Sequence, residues 1–171
     1  KVITFNGEIY NYQTLREELI AAGHTFTTKS DTEVLLHGYE QWGVDLLQRV
    51  RGMFTFVIWD KNKQELFGAR DHFGIKPFYY AKMNGTFMYA SEIKSLLRHP
   101  DFVKELNAEA LKPYMTFQYP AIGETFFKGV YKLPEGHYFT YRDGKMDIHR
   151  YYDEDFREGK QKLGELVNSI D

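Results

Sequence analysis

The stretch GMFTFVIWDKNKQELFGAR, residues 52–70, decides the fold class of this 171-residue chain. It contains two apolar runs, MFTFVIWD and ELFGAR, which are rich in β-branched and aromatic residues and are separated by the polar segment KNKQ. This pattern is typical of a β-hairpin, and a first run without polar alternation indicates a strand buried on both faces. The centre of the protein is therefore predicted to be an antiparallel sheet that is covered on both sides.

Two more hairpins are predicted further along the chain. The runs FYYAKM and TFMYA flank Asn84-Gly85, and the runs GHYFTYR and KMDIHRYY flank Asp143-Gly144. Asn-Gly and Asp-Gly favour the two-residue turns that join antiparallel strands, because both positions of such a turn need positive φ. Residues 2–5 and 24–28 are predicted as additional strands.

Two helices are predicted in the first quarter of the chain. Asn11 is predicted to cap a helix over about residues 12–22, and Gly23 is placed for a left-handed C-terminal cap. Ser30 and Glu33 have the S-x-x-E spacing of a capping box, which opens the second helix.

The second helix is predicted to reach Trp42, and shorter helices are predicted after Ser91 and after Asn107. Pro113 is expected to limit the last of them. Hairpins with helices grouped between them, without regular strand–helix alternation, indicate an α+β fold.

Composition excludes several classes of protein. Hydrophobic residues make up 43% of the chain and aromatic residues 17%, which is too apolar for a disordered segment. The 22 basic and 24 acidic residues are interspersed and give a net charge of −2, so partners such as nucleic acid or an anionic membrane are not indicated. The absence of a long apolar run and of a secretion signal predicts a cytoplasmic protein.

Asn6, Gly7 and Glu8 are the first candidates for a functional site. An Asn amide and a Gly backbone N–H at the end of a strand are suited to present two donors to the oxyanion of an acyl transfer. A carboxylate beside them is suited to bind a substrate's amine or amide. The structural alternative is a turn at Asn-Gly followed by a solvated Glu8, and the residues alone favour that alternative.

Asp31 and His72 are the next candidates. At the first position of a helix, Asp31 is favoured by the helix dipole, so a capping role is sufficient, and the functional alternative is a contact with a ligand's ammonium group. His72 lies in ARDHFGIKPFYY, where Arg70-Asp71 is predicted to begin a tight loop. It is interpreted as a packed structural residue rather than a general base.

Metal and nucleotide sites are not predicted in this chain. It contains no cysteine, which excludes disulfides, thiolate metal sites and a cysteine nucleophile within these residues. The 6 histidines are scattered without H-E-x-x-H spacing, and neither G-x-x-x-x-G-K-[ST] nor G-x-G-x-x-G occurs. The expected metal content and the expected cofactor content are therefore both none.

Seven motifs occur in a fixed order along the chain: NGEIYNY, LREEL, SDTEVLLHGYEQWG, GMFTFVIWD, RDHFGIKPFYY, ASEIKSLL and GVYKLPEGHY. Together they closely resemble the glutaminase domain of glutamine-hydrolysing asparagine synthetases, whereas other class II glutamine amidotransferases share chiefly the N-G-E and D-T-E elements. The resemblance implies an N-terminal-nucleophile hydrolase-like fold, a four-layer sandwich of antiparallel sheets and helices, here incomplete at the N-terminus.

The resemblance implies roles for the candidate residues. Asn6 and Gly7 match the asparagine and glycine that form the oxyanion hole. Glu8 matches the glutamate that helps to hold the substrate glutamine, and Asp31 matches the aspartate that pairs with its α-ammonium group. With the resemblance added, the functional interpretation is preferred for these four residues, but no catalytic role follows for His72.

The resemblance also implies parts that are absent from these residues. Members of the family begin with a nucleophilic cysteine, whose α-amino group is the base, and carry an arginine that clamps the substrate carboxylate. Residues 1–153 are therefore interpreted as a glutaminase domain without its N-terminal strands and nucleophile. Residues 154–171 are interpreted as a linker and first helix leading towards a missing synthetase domain, which would hold ATP and Mg²⁺.

The parent enzyme is expected to convert ATP, aspartate and glutamine to asparagine, glutamate, AMP and pyrophosphate, while the isolated chain is expected to be inactive. Its expected partners are glutamine and the synthetase domain of the same polypeptide, and a homodimer of the parent is left open. Two alternatives remain. One is a catalytically inactive glutamine-binding or structural module, and the other is an amidotransferase of the same two-domain plan, as in β-lactam antibiotic synthesis or peptide amidation.

Overall fold

The computed structural model describes residues 1–118 and 125–154, and within them the chain forms eight strands and four α-helices. The strands are β1 (Val2–Ile9), β2 (Gly52–Asp60), β3 (Glu65–Arg70), β4 (Tyr79–Met83), β5 (Thr86–Ala90), β6 (Val130–Lys132), β7 (His137–Arg142) and β8 (Lys145–Arg150). The helices are α1 (Tyr12–Ala21), α2 (Asp31–Trp42), α3 (Ile93–Leu96) and α4 (Ala108–Phe117), and a 3-10 helix, Gly43–Gln48, follows α2. None of these helices has the length and apolarity needed to cross a membrane. Apart from its first residue, the predicted linker and helix at 154–171 lies outside the described residues.

The strands form two antiparallel sheets. One has five strands in the order β1-β2-β3-β7-β8, and the other has three in the order β5-β4-β6. The predicted hairpin of residues 52–70 is confirmed as β2 and β3, which pair from Thr55–Arg70 to Asp60–Glu65. Strand β2 lies between β1 and β3 and is mostly buried, as its unbroken apolar run predicted.

Alternation of side chains along the strands separates the core into layers. The first cluster joins one face of the five-stranded sheet to α1 and α2, and includes Leu19, Leu35, Phe54, Phe56 and Ile58. The opposite face of that sheet packs on the three-stranded sheet through Val57, Phe78, Phe139 and Tyr89. The far face of the three-stranded sheet packs on α3 through Ala81, Met88 and Leu96. The order helices, sheet, sheet, helix agrees with the four-layer expectation.

The two predicted tight turns are confirmed. Asn84 and Gly85 have φ of 50° and 80°, and Asp143 and Gly144 have φ of 51° and 76°. Positive φ at both central residues is the requirement of a type I′ turn, whose twist matches that of the flanking strands.

The end of α1 follows the predicted glycine cap. Gly23 has φ of +97°, its N–H donates to Ile20 O at 3.0 Å, and the His24 N–H donates to Leu19 O at 2.9 Å. These are the two bonds of a Schellman motif, which satisfies the last carbonyls of the helix.

Residues 24–28 do not form the predicted strand, and Glu33 explains why. Its carboxylate accepts hydrogen bonds from the backbone N–H groups of Thr27 and Thr28, at 2.8 and 2.6 Å, and from both hydroxyls. The predicted capping box is therefore only half present. Ser30 Oγ does accept from the Thr32 N–H at 3.1 Å, but Glu33 binds the preceding loop instead of returning to Ser30.

These hydrogen bonds, first among them that from the Thr27 N–H, lower the pKa of Glu33 to about 2, against the opposing effect of burial. A depressed carboxylate pKa contributes stability that is fully present above the ordinary value of 4.5 and is lost as the pH falls towards 2. We therefore expect the loss of thermal stability between pH 4.5 and pH 2 to be smaller in Glu33→Gln than in the unmodified chain. Differential scanning calorimetry across that range measures the difference, and Glu17→Gln, at an exposed carboxylate of α1, is expected to keep the original profile. Identical profiles for Glu33→Gln and the unmodified chain would contradict the assignment.

Two other local predictions are wrong. Helix α4 continues through Pro113 to Phe117, although an interior proline removes one N–H from the helix and crowds the carbonyl four residues earlier. Asn11 precedes α1 but does not cap it with its side chain. Its amide instead donates to Arg49 O at 2.9 Å, and its Oδ1 accepts from the Arg51 N–H at 2.9 Å, which joins the start of α1 to the segment before β2.

Candidate active site

The first candidate residues lie within an edge strand, not beyond its end. Strand β1 continues to Ile9, and Asn6, Gly7 and Glu8 pair with Thr55, Phe54 and Met53 of β2. Within the described residues, β1 has a neighbour on one side only, so its other side is an open sheet edge. The Asn-Gly dipeptide therefore forms no turn, and the structural alternative considered from the sequence is wrong at this point.

The hydrogen-bond pattern of β1 indicates where the Gly7 N–H points. The Tyr10 N–H donates to Arg51 O at 2.7 Å, which identifies the pair 10–51 as hydrogen-bonded. Pairs alternate along an antiparallel ladder, so the Gly7–Phe54 pair is of the non-hydrogen-bonded kind. The N–H of Gly7 therefore faces away from β2, towards the open edge.

Gly7 also fits this position for a steric reason. A Cβ added there would lie 2.2 Å from Met53 O and 2.7 Å from Phe54 Cα, both of which belong to the β2 backbone. Backbone atoms of a buried central strand cannot move away as a flexible side chain would. The close approach of the two strands therefore requires glycine.

The Asn6 side chain points between the two sheets. Its Nδ2 donates to Ser91 Oγ at 3.0 Å, just after β5. Asn6 and Ser91 both line a cavity of about 170 Å³ that opens beside β1 and also includes Thr4, Thr55 and Tyr89. An amide nitrogen carries two protons, so one donor of Asn6 remains after the bond to Ser91.

Asp31 is brought to the same edge by α2. Its Oδ2 accepts from the Ile9 N–H at 3.1 Å, and Ile9, like Gly7, is an odd-numbered residue whose N–H faces the open edge. Asp31 Oδ1 lies 3.5 Å from Ser30 Oγ. The carboxylate thus anchors the first turn of α2 to β1, and one oxygen still has room for a further donor.

Glu8 is exposed, and it makes no hydrogen bond or ion pair with the residues at 1–118 and 125–154. The four candidates therefore lie along one open edge rather than around one enclosed cavity. Asn6 faces the space between the sheets, Gly7 and Asp31 are on the edge itself, and Glu8 is beside them. Chemically, the edge offers two N–H donors and two carboxylates over a short distance.

The loop after β3 is built by two buried charged residues. Arg70 donates from its guanidinium to the carbonyl oxygens of Lys76, Leu133 and Gly74, at 2.7, 2.8 and 2.5 Å. Asp71 is fully buried and accepts four backbone N–H bonds. The predicted tight loop is confirmed, and its polar residues serve the loop itself.

His72 is packed among aromatic rings. It makes edge-on contacts with Tyr152 and Tyr151, at centroid distances of 4.4 and 5.3 Å. Burial lowers the pKa of His72, and the Asp71 carboxylate offsets part of that effect. The surroundings agree with the interpretation of His72 as a structural residue.

Sequence comparison relates the chain to known glutamine amidotransferases. The family described as "Glutamine amidotransferase domain" matches residues 1–152. "Asparagine synthetase [glutamine-hydrolyzing] 1" of Bacillus subtilis is 45% identical over 169 residues, which are 98% of this chain and 27% of that protein. The "Putative asparagine synthetase [glutamine-hydrolyzing]" of Mycobacterium bovis is 44% identical over 157 residues, 88% of this chain and 24% of that protein. The chain thus spans about a quarter of the length of these relatives and corresponds to their glutaminase portion.

Solved structures support the fold. A glutamine phosphoribosylpyrophosphate amidotransferase from B. subtilis, complexed with ADP and GMP, superimposes with a TM-score of 0.60 at 22% identity, covering 89% of this chain and 29% of that one. A structure described as the allosteric regulatory enzyme of purine biosynthesis gives 0.61 at 20% identity, covering 89% and 28%. At this level of identity the likeness shows the fold alone. It confirms the predicted α+β fold of antiparallel sheets and helices.

Two contacts at the site were not anticipated from the sequence. Ser91 was noted only as the residue before a helix, and the Ile9 N–H is a backbone group with no sequence signal. Both join residues distant in sequence, Asn6 to Ser91 and Ile9 to Asp31. Only the pairing of the strands and helices places them together.

Proposed function

Because this chain belongs to the glutamine amidotransferase domain family, we propose that it is the glutamine-binding part of a glutamine-hydrolysing asparagine synthetase. In the whole polypeptide, glutamine would be hydrolysed to glutamate and ammonia. The ammonia would then displace AMP from a β-aspartyl adenylate made from aspartate and ATP with release of pyrophosphate, giving asparagine. ATP and Mg²⁺ would bind in the synthetase domain and not in these 171 residues.

The observation that carries the proposal is the open edge of β1. The Gly7 N–H faces that edge, and Asp31 is fixed beside it by the bond from the Ile9 N–H. A glutamine laid along the edge would place its α-ammonium group on the free oxygen of Asp31, with Glu8 as a second acceptor. Its side-chain carbonyl would then lie towards Gly7.

Asn6 and Gly7 are proposed to stabilise the charge that forms during the reaction rather than to bind the substrate in its ground state. When the carboxamide is attacked, its carbonyl oxygen gains negative charge, and fixed donors that face that oxygen stabilise the charge. The Gly7 N–H would provide one donor, and the second proton of the Asn6 amide would provide the other. The bond to Ser91 fixes the Asn6 side chain, so its amide would need little reorganisation during the reaction.

The attacking group is proposed to come from outside these residues, since the chain contains no cysteine. We therefore expect the 171-residue chain to release no glutamate from glutamine, although it carries the oxyanion-binding and substrate-binding groups. A coupled glutamate assay measures this, and Asp31→Asn serves as the matched control, because activity that is equal in both proteins comes from a contaminant. Glutamate release by the unmodified chain that disappears in Asp31→Asn would refute the expectation of inactivity.

The two alternatives considered from the sequence make different predictions for the whole polypeptide. An inactive glutamine-binding module would bind glutamine without hydrolysing it even when the polypeptide is complete. An amidotransferase of another type would hydrolyse glutamine but would not form asparagine from aspartate. We propose the asparagine synthetase because the identity to the two relatives extends over 98% and 88% of the chain.

A further inference from the structure

A cluster of two histidines and a glutamate lies between the end of α1 and the second half of α2. His24 follows α1, and His37 and Glu40 are one turn apart on α2. Among the described residues, this is a group whose potential ligand atoms all lie within 4.8 Å of one another. The side chains of His24, His37 and Glu40 are 17, 20 and 34% exposed, so the cluster is largely covered but open to small solutes.

The ligand atoms converge at the spacing of a tetrahedral metal site. His24 Nδ1 lies 3.2 Å from His37 Nδ1, and Glu40 Oε2 lies 3.1 Å from His37 Nδ1 and 4.0 Å from His24 Nδ1. Ligands that bind Zn²⁺ at about 2.0–2.2 Å in tetrahedral geometry are about 3.3–3.5 Å apart. The two separations from His37 Nδ1 are within a few tenths of an ångström of that value. The separation between Glu40 and His24 is longer, and a small rotation of a side chain would shorten it.

The other nitrogen of each ring lies near a side-chain oxygen, and that of His24 is within hydrogen-bond distance of it. His24 Nε2 lies 3.0 Å from Gln41 Oε1, and His37 Nε2 lies 3.7 Å from Glu33 Oε1. A partner such as Gln41 holds the His24 ring in the tautomer that leaves Nδ1 unprotonated and turns that nitrogen towards the ion. The Nδ1 atoms of both rings and Glu40 Oε2 thus border the same small space.

Without an ion, the protons in the cluster do not satisfy all of these contacts. If His24 donates from Nε2 to Gln41, its neutral ring has only a lone pair at Nδ1. A single proton on a neutral His37 Nδ1 is then shared between His24 and Glu40 Oε2, while Glu40 Oε1 accepts from Lys1 Nζ at 3.1 Å. A cation at the centre would replace that shared proton and would bind all three ligands.

We propose that His24, His37 and Glu40 form a Zn²⁺ site that clamps the segment after α1 to α2. Two imidazoles and one carboxylate suit zinc, and a water molecule would complete the tetrahedron. The ion would stabilise the helical layer that covers the first hydrophobic cluster. The sequence indicated no metal site because the ligands come from two segments, and H-x-x-E on α2 is only part of the set.

Titration of the chain with Zn²⁺ tests the proposal directly. The chain should be prepared without a histidine tag and washed with a chelator, and binding should be followed by isothermal titration calorimetry. We expect one ion per chain and a higher thermal unfolding midpoint in its presence. Co²⁺ at the same site is expected to give the visible absorption of a tetrahedral complex.

Variants identify the ligands. His37→Gln and Glu40→Gln are expected to weaken Zn²⁺ binding by more than about 100-fold, and Gln41→Leu by about 10-fold, as for the loss of an outer-shell partner. His99→Gln, at an exposed histidine in another part of the fold, should leave binding unchanged. Circular dichroism of each variant without metal verifies the fold. No saturable binding by the unmodified chain, or the same affinity in His37→Gln, would overturn the proposal.

Discussion

Replacing Asp71 by alanine is expected to destabilise the protein by about 3 kcal/mol or more, because several buried N–H groups lose their acceptor at about 1–3 kcal/mol each. The carboxylate accepts from the backbone N–H groups of Phe54, Phe73, Ile75 and Lys76, at 3.3, 3.1, 2.9 and 2.9 Å. It is fully buried, so water does not reach these donors without opening the loop.

The loss extends beyond the loop, because Asp71 joins several elements. Its carboxylate accepts from the Phe54 N–H and so ties the loop to β2, a contact that alanine removes. The bond from the Gly136 N–H goes to the backbone carbonyl of residue 71 and is kept in the variant. Arg70 is buried beside it, and the Asp71 carboxylate offsets part of the effect by which burial lowers the Arg70 pKa. Removing the carboxylate leaves that guanidinium charge less compensated.

Thermal unfolding measures the effect, and for a chain of this size we expect the midpoint to fall by about 6–12 °C or more. Asp71→Asn keeps one oxygen as an acceptor and should lie between the alanine variant and the unmodified chain. Asp147→Ala, at an exposed position of β8, is the matched control and should change the midpoint little. A midpoint for Asp71→Ala within about 2 °C of the original would show that the loop does not depend on this residue.

Replacing Asp31 by asparagine is expected to weaken glutamine binding by about 30-fold or more. Losing one member of a hydrogen-bonded charge pair costs about 2–5 kcal/mol, and each 1.4 kcal/mol is a factor of about ten. The substitution removes the negative charge, but the asparagine Oδ1 still accepts from the Ile9 N–H, which Asp31 Oδ2 now does at 3.1 Å. The anchor of α2 to β1 is therefore kept while the contact with the α-ammonium group is lost.

Stability and affinity together distinguish this effect from misfolding. Asp31→Asn should unfold within a few degrees of the unmodified chain, whereas its affinity for glutamine should be much lower. Glu17→Gln removes an exposed carboxylate from α1 and should change neither property. Equal affinity in Asp31→Asn and the unmodified chain would mean that the ammonium group is bound elsewhere.

The elements that the sequence predicts well are those that depend on nearby residues. Asn84-Gly85 and Asp143-Gly144 determine their turns through their own backbone preferences, and Gly23 ends α1 in the same way. The apolar run of β2 indicates burial on both faces, and this inference does not depend on which elements cover those faces. Such features need no knowledge of the rest of the fold.

The predictions that failed depend on contacts between distant segments. Residues 24–28 are apolar and β-branched enough to indicate a strand, but Glu33 accepts the N–H groups of Thr27 and Thr28, and no strand among the described residues pairs with this segment. The three-residue strand β6 was missed because so short a run carries no pattern, and it exists through pairing with β4.

The same distinction between local signals and contacts of distant segments applies to the candidate site. The residue types at Asn6, Gly7, Glu8 and Asp31 were identified from motifs, but motifs did not show that β1 continues through them as an open edge. The orientation of the Gly7 N–H follows from the register of β1 on β2, and the position of Asp31 follows from the packing of α2 on that edge. The sequence spacing of His24 and His37 matches no metal-ligand motif, yet their ring centroids are 5.1 Å apart.

Glutamine titration of the ¹⁵N-labelled chain, followed by NMR, tests most directly whether the open edge of β1 binds glutamine. NMR detects binding even when the dissociation constant is millimolar. We expect glutamine to bind this weakly to a site that lacks its nucleophile. We predict saturable shifts of the Gly7 and Asp31 amide signals, absent in Asp31→Asn and absent when glutamine is replaced by a compound without an α-ammonium group. Saturable shifts confined to residues away from β1 and α2, or no shifts at all, would contradict the account.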